Sequence, residues 1–277
     1  MADAKKHHIV HDKPLIKSLL SSFIVLIISG LAISQLVALF VEHHLPLEHS
    51  TEENASTWKH MEWKDGIETL RRPIAGTQLY AHKAVTTVDV PLGVVMKVIR
   101  DTPHQSEWVR DLQETEEFHK SAHHKDESHE HYEETAIVRH KYKFAIPGVK
   151  PREFLMSRTL TTTEAKDGSG RTSVEASFIS FADEKEEFPV CDGCVRAHNL
   201  GSTWTFTAVD GGKKTKIEAA VAVDPHLKNL SQFFVNAFQM RWPRDTVHRL
   251  VNKLMADSGK HEGVIHQAAH TMYHLKD

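Results

Sequence analysis

The sequence predicts an α+β protein in which an antiparallel sheet wraps a long C-terminal helix, preceded by one transmembrane helix. Three observations predict it. Strand-like segments follow one another between residues 79 and 223 with turn-like joints, which antiparallel neighbours allow and parallel ones, needing long crossovers, do not. The stretch from Pro225 to Gly259 repeats apolar residues at helical spacing. The block Ser18–Val41 holds no charged residue in a chain that is otherwise rich in them.

The 277 residues are 40% apolar and 26% charged, with two Cys and a mean hydropathy of −0.39. Those values exclude a collagen-like chain, a disulfide-built miniprotein and a multi-span membrane protein. The formal charge is −3, and the 22 His would carry it to about +19 if all were protonated, so the sign of the charge depends on pH. A balance so near neutral gives no support to a nucleic-acid partner.

Taken in order, residues 1–17 form a segment bearing Lys5, Lys6, Lys13 and Lys17. Residues 18–41, at about 1.5 Å per residue, span roughly 36 Å as a helix and exceed the ~30 Å hydrocarbon core of a bilayer. The run is too long for a signal-peptide core and ends in LVALFVEHH without a small-x-small cleavage site, which favours an uncleaved signal anchor over a cleaved leader or a buried helix. Basic residues before it and acidic ones after it place the N-terminus in the cytosol and the large domain on the exoplasmic (lumenal or extracellular) side. Residues 42–57 are polar, acidic and broken by Pro46, as a linker would be. One domain then runs from 58 to 258. Its expected strands are 79–88, 133–141, 152–162, 171–181, 203–209 and 214–223, with a helix opened by Pro91 and an Asp210-Gly211-Gly212 hairpin turn. The C-terminal helix carries Leu227, Leu230, Phe234 and Phe238, then Val247, Leu250, Val251 and Leu254, with Pro243 as an expected kink. The His-rich tail 259–277 has the composition for one more short helix.

Several local signatures coincide in order and spacing over about 200 residues: WKDGI at Trp63–Ile67, a helix ending at Asp101 followed by Trp108, PGVKPREFLMSR at Pro147–Arg158, Val195-Arg196, and GSTWTF at Gly201–Phe206. In these the segment from about Trp58 to Met255 resembles the StAR-related lipid transfer (START) domain. The resemblance implies a helix-grip fold, a tunnel for one lipid molecule, a lipid ligand and a membrane as partners, and no catalytic residue, cofactor or metal.

Trp204 and Phe206 alternate with threonines on one strand face and are candidate tunnel lining, as are Phe234 and Phe238 on one helix face; simple core packing is the competing reading for each. In family members the loop matching Phe144, Ile146 and Val149 acts as a flap over the tunnel mouth. Flanked by Lys143 and Lys150, it suits either bilayer contact or a fold back onto the core. Arg152 and Arg158 match the two arginines of the family's R-[DE]-F-x-x-x-R pattern. In sterol-carrying members an acid on the preceding strand pairs with the second, but the ungapped equivalent here is Arg139, so two arginines facing one cavity would suit a phosphate or carboxylate head group.

Cys191 and Cys194 have the C-x-x-C spacing of a redox site but lack its βαβ context, and no second ligand pair exists for zinc. A local disulfide is expected in an exoplasmic domain, idle thiols in a cytosolic one. The His groups (His7, His8 and His11; His123, His124, His129 and His131; His266, His270 and His274) read as solvated, the middle run as a loop. Three function classes follow: a lipid carrier, a small-molecule enzyme of the wider helix-grip superfamily such as a cyclase or hydrolase, and a lipid-sensing scaffold. An ionisable cluster in the cavity would favour the enzyme, an aromatic tunnel the carrier.

Overall fold

A computed structural model describes residues 57–124, 131–164, 172–181, 188–227 and 232–257, without the side chains of 123, 124, 131 and 232–234. The expected segments 1–17, 18–41 and 259–277, and the linker up to 56, lie outside the described residues. Among the described residues no helix is long and apolar enough to cross a membrane.

The domain opens with a hairpin of β1 (Lys59–Lys64) and β2 (Ile67–Pro73). Its two turn residues, Asp65 and Gly66, both take left-handed φ (53° and 71°), as a two-residue primed turn requires. This hairpin was not expected from the sequence. Next come β3 (Tyr80–Val88) and α1 (Leu92–Arg100), which starts after Pro91 and buries Val95, Met96, Val98 and Ile99. A 3₁₀ segment (Thr102–Glu107) leads to β4 (Leu112–His124), β5 (His131–Tyr142), β6 (Arg152–Glu164) and β7 (Thr172–Ser180). Short β8 (Val195–Arg196) and β9 (His198–Asn199) precede β10 (Ser202–Val209), β11 (Lys214–Val221), β12 (Val223–Asp224) and α2 (Gln232–Asp257).

The sheet runs β1-β2-β3-β11-β10-β7-β6-β5-β4, antiparallel at every step, with β8 added in parallel to the start of β6; β9 and β12 form a separate pair. The return of β11 to the side of β3 joins the N-terminal three strands to the rest of the sheet and leaves one concave face for the helices. Two sequence expectations change. The His-rich run is strand at both ends, since Ala122 faces Glu134 and His124 faces Tyr132 across β4 and β5; only 125–130 lie outside the description. Leu227 precedes α2 and packs with Leu79 and Val235 in a small side cluster. Pro243 falls inside α2 as expected, with helix on both sides of it.

The main core lies between the concave face and the second half of α2. Phe206, Ile217, Ala219, Val247, Leu250 and Leu254 are fully buried there. Alternation along β10 and β11 sends these side chains inward, and the 3.6-residue period of α2 presents the matching stripe. The convex face carries a second layer. Segment 188–199 folds over the start of β6, Phe188 meets Phe118 at 5.3 Å, and Glu153 is buried completely between Arg196 (2.7 Å) and Arg139 (3.7 Å).

Candidate functional site

Between the concave face, α1, the 3₁₀ segment and the first half of α2 lies a cavity enclosing about 1060 Å³ of atom-free space, counting the part continuous with solvent. Aromatic rings form most of its wall. Trp204 and Phe206 stack on β10 with Trp108 edge-on to Trp204 at 5.9 Å, and Tyr142 meets Phe154 at 5.5 Å and Trp242 of α2 at 6.0 Å. Ile99, Met156, Phe178 and Val221 add aliphatic and aromatic surface. No Asp, Glu, Lys or Arg is among the described residues that line it.

The polar groups in the wall are neutral. His82 on β3 is 3% exposed, and burial, aided by the charge of Arg71, lowers its pKa to about 4. Burial likewise lowers His140 to about 4, with Arg158 adding to the effect, and its Nδ1 lies 3.3 Å from the Tyr142 hydroxyl. Burial pushes that hydroxyl's pKa up, so it too stays uncharged. Gln105 donates to the Ile99 carbonyl (3.1 Å) and Gln239 to the Val223 carbonyl (2.9 Å).

The residues named from the sequence divide. Trp204, Phe206 and Phe238 line the cavity, while the side chain of Phe234 lies outside the described residues. The expectation of two arginines facing the cavity is corrected. Arg152 points to the other end of β6 and donates to the carbonyls of Pro225 (2.8 Å), Lys150 (2.6 Å) and His226 (3.1 Å). Arg158 is on the concave face but is held by Glu134 (2.9 Å) and Glu117 (2.7 Å), one strand beyond Phe178. Its partner on the preceding strand is therefore Glu134, and Arg139 points to the convex face, where it covers Phe118 and Phe188. The long, nearly bulge-free β5–β6 register, with Arg158 opposite Ala136, puts the acid two residues from the strand position that faces the arginine.

The loop after β5 turns over Pro147 and Gly148, with Gly148 at φ 76° and Val149 N–H donating to the Ile146 carbonyl (3.2 Å). Its apolar residues turn inward: Phe144 is buried against Phe238 at 4.9 Å, and Ile146 and Val149 are half-buried on the core. Of the two placements open from the sequence, the structure has the loop folded back. Cys191 and Cys194 are joined by a disulfide across a turn, and the Cys191 N–H donates to Glu153 (3.0 Å). Both sulfurs are thereby engaged, although Glu153 stands close enough for the three to resemble a ligand set. Sequence reasoning passed over His82, His140 and Tyr142. The alternation in YAHKAVTTV could have shown His82 beside Tyr80 and Ala84 on the inner face.

The sequence profile of the START domain matches residues 44–238, well over half of the chain. The chain belongs to the START domain family. Solved structures share the START architecture. Human StAR-related lipid transfer protein 5 superposes with a TM-score of 0.59 at 14% identity, covering 82% of this chain and 99% of that one. Human STARD10 gives 0.56 at 15%, covering 75% and 76%, and a STAR-related lipid transfer protein fragment from Xanthomonas axonopodis gives 0.52 at 18%, covering 71% and 98%. At these identities the likeness is one of fold. No curated protein matches the sequence.

Proposed function

We propose that this START protein is a non-enzymatic lipid carrier that encloses one lipid molecule in the cavity, with residues 18–41 anchoring it in a membrane and the large domain on the exoplasmic side. The observation that carries the reading is the wall itself: aromatic and aliphatic on nearly every side, and without a charged residue among those described. A cyclase or hydrolase would call for an acid-base pair tuned toward the working pH, whereas burial moves His140 down to about 4 and Tyr142 up, both away from it. The loop carrying Phe144, Ile146 and Val149 closes over the first half of α2 and serves as the gate, exchanging its contact with Phe238 for contact with a bilayer when a lipid passes.

The test is native mass spectrometry of the full chain extracted in mild detergent, with lipid analysis of what travels with it. Co-purified lipid in about equimolar amount is expected; an intact protein that carries none and takes none up from liposomes would overturn the reading. Anchoring and orientation separate from this. Protease treatment of sealed, cytosol-side-out vesicles is expected to spare the large domain, and its digestion would reverse the proposed topology.

A further inference from the structure

Three side chains in the cavity wall carry buried polar atoms without a hydrogen-bond partner: both ring nitrogens of His82, Oε1 of Gln239 and the Nε1–H of Trp108. Such atoms are rare in folded proteins, where buried polar groups are almost always hydrogen-bonded. The remaining unpartnered buried atoms have other settings. Those of Asp111, Arg139, Glu153, Arg158 and Arg196 belong to side chains held in ion pairs, and Thr69, Thr115 and Asn236 do not line the cavity.

The groups share one region. Val221 is the strand partner of His82, and Gln239 reaches the carbonyl of Val223, two residues further on, so imidazole and amide stand toward the same end of the wall. Trp108 packs on Trp204, which pairs with Ala219, two residues back along β11. A neutral imidazole offers one donor and one acceptor, the glutamine oxygen a second acceptor and the indole a second donor. A hydroxyl or an amide, which donates and accepts at once, satisfies such a set. A phosphate or carboxylate only accepts. It would leave the glutamine oxygen facing a lone pair and would find no cation in the wall, since Arg158 is committed to Glu134 and Glu117. An ammonium group would find no acid.

We propose that His82 and Gln239, with Trp108 beside them, form a polar recognition site selecting an uncharged lipid that bears a hydroxyl or amide group. The proposal rests on the carrier reading above and adds the class of ligand to it.

The full chain is incubated with phosphatidylcholine vesicles carrying radiolabelled cholesterol, dioleoylglycerol or ceramide, and in parallel with vesicles carrying labelled phosphatidylcholine or oleate. At least one of the three probes without ionic groups is expected to be extracted tenfold or more over zwitterionic phosphatidylcholine and anionic oleate. His82→Phe and Gln239→Leu are expected to lower that extraction at least tenfold, and His82→Gln, which restores a donor and an acceptor, to recover most of it. Extraction of phosphatidylcholine or oleate on a par with the neutral probes overturns the proposal while leaving the carrier reading intact, and so do neutral extractions unchanged in both variants. Extraction of no probe at all counts against both. Near-UV circular dichroism checks folding, and if His82→Phe does not fold, Gln239→Leu decides.

Discussion

Phe144, at the start of the loop after β5, meets Phe238 of α2 edge to face with ring centroids 4.9 Å apart. The pair joins a loop and a helix nearly a hundred residues apart in sequence, and it closes one side of the cavity. Edge-to-face aromatic pairs contribute about 0.5–1.5 kcal/mol beyond the area they bury. A double-mutant cycle with Phe144→Ala and Phe238→Ala, followed by urea denaturation, should return a coupling in that range, and each single variant should exchange lipid between vesicles faster than the parent. A coupling near zero would mean that the two rings merely share a neighbourhood.

Arg158 and Glu134 form a buried ion pair, each about one-twentieth exposed, with Glu117 as second acid and Lys120 reaching both carboxylates. Burial alone would raise the pKa of Glu117, but the charges of Arg158 and Lys120 bring it below the ordinary carboxylate value. Removing one partner strands a charge. Arg158→Met should therefore cost about 3–5 kcal/mol of stability in denaturant titration, and adding Glu134→Leu to it should recover a large part. If the double variant were as unstable as the sum of the singles, the pair would not be the source of the loss.

Acid should destabilise the fold through His82 and His140. Both bind a proton near pH 6.5 when unfolded but only near pH 4 when folded. Between those values the unfolded chain holds more protons than the native one, so stability falls as pH falls from 6.5 to 4 and levels off below that. Each histidine contributes about 3 kcal/mol across the window, a large share of a typical domain's stability. His104, raised by its hydrogen bond to Asp101, acts in the opposite direction but is fully exposed. Urea midpoints measured from pH 7.5 to 4 should fall steeply, and His82→Phe should remove one of the two proton dependences.

Gly148 holds φ 76° in the turn of the loop, and nothing lies within 4 Å of where a Cβ would stand. Gly148→Ala should cost about 1 kcal/mol from backbone conformation alone, with no steric part. A much larger loss in thermal unfolding would point to a contact that the open space does not provide.

Legibility in the sequence followed the strength of local pattern. Strands β3, β10 and β11 alternate over most of their length, and the sequence located them, with β6 and β7, to within about three residues at each end. The β1–β2 hairpin escaped because its outer strand is exposed along nearly its whole length, which erases the alternation; the Asp65-Gly66 step was its remaining signal. The same holds at the site. Trp204 and Phe206 stand out as bulk between threonines, whereas His82 and His140 look in sequence like members of a chain full of histidines. Their burial comes from partners up to 140 residues away. The misassigned partner of Arg158 came from counting between strands without the β5–β6 register, which only pairing fixes.

Pro243 divides α2 into two arms with different surroundings. Having no N–H, it leaves the carbonyl of Gln239 without its helical donor at the point where the helix passes from the cavity to the core. Beyond it, Val247, Leu250 and Leu254 are fully buried and root the helix in the sheet; before it, Phe238 and Gln239 border open volume. The cavity-lining part and the core-packed part of α2 are thus one continuous helix. The two arms therefore differ in what they hold: the second packs on the central sheet, while the first meets Phe144, in the cavity wall, through Phe238 and the Leu79–Leu227 cluster through Val235.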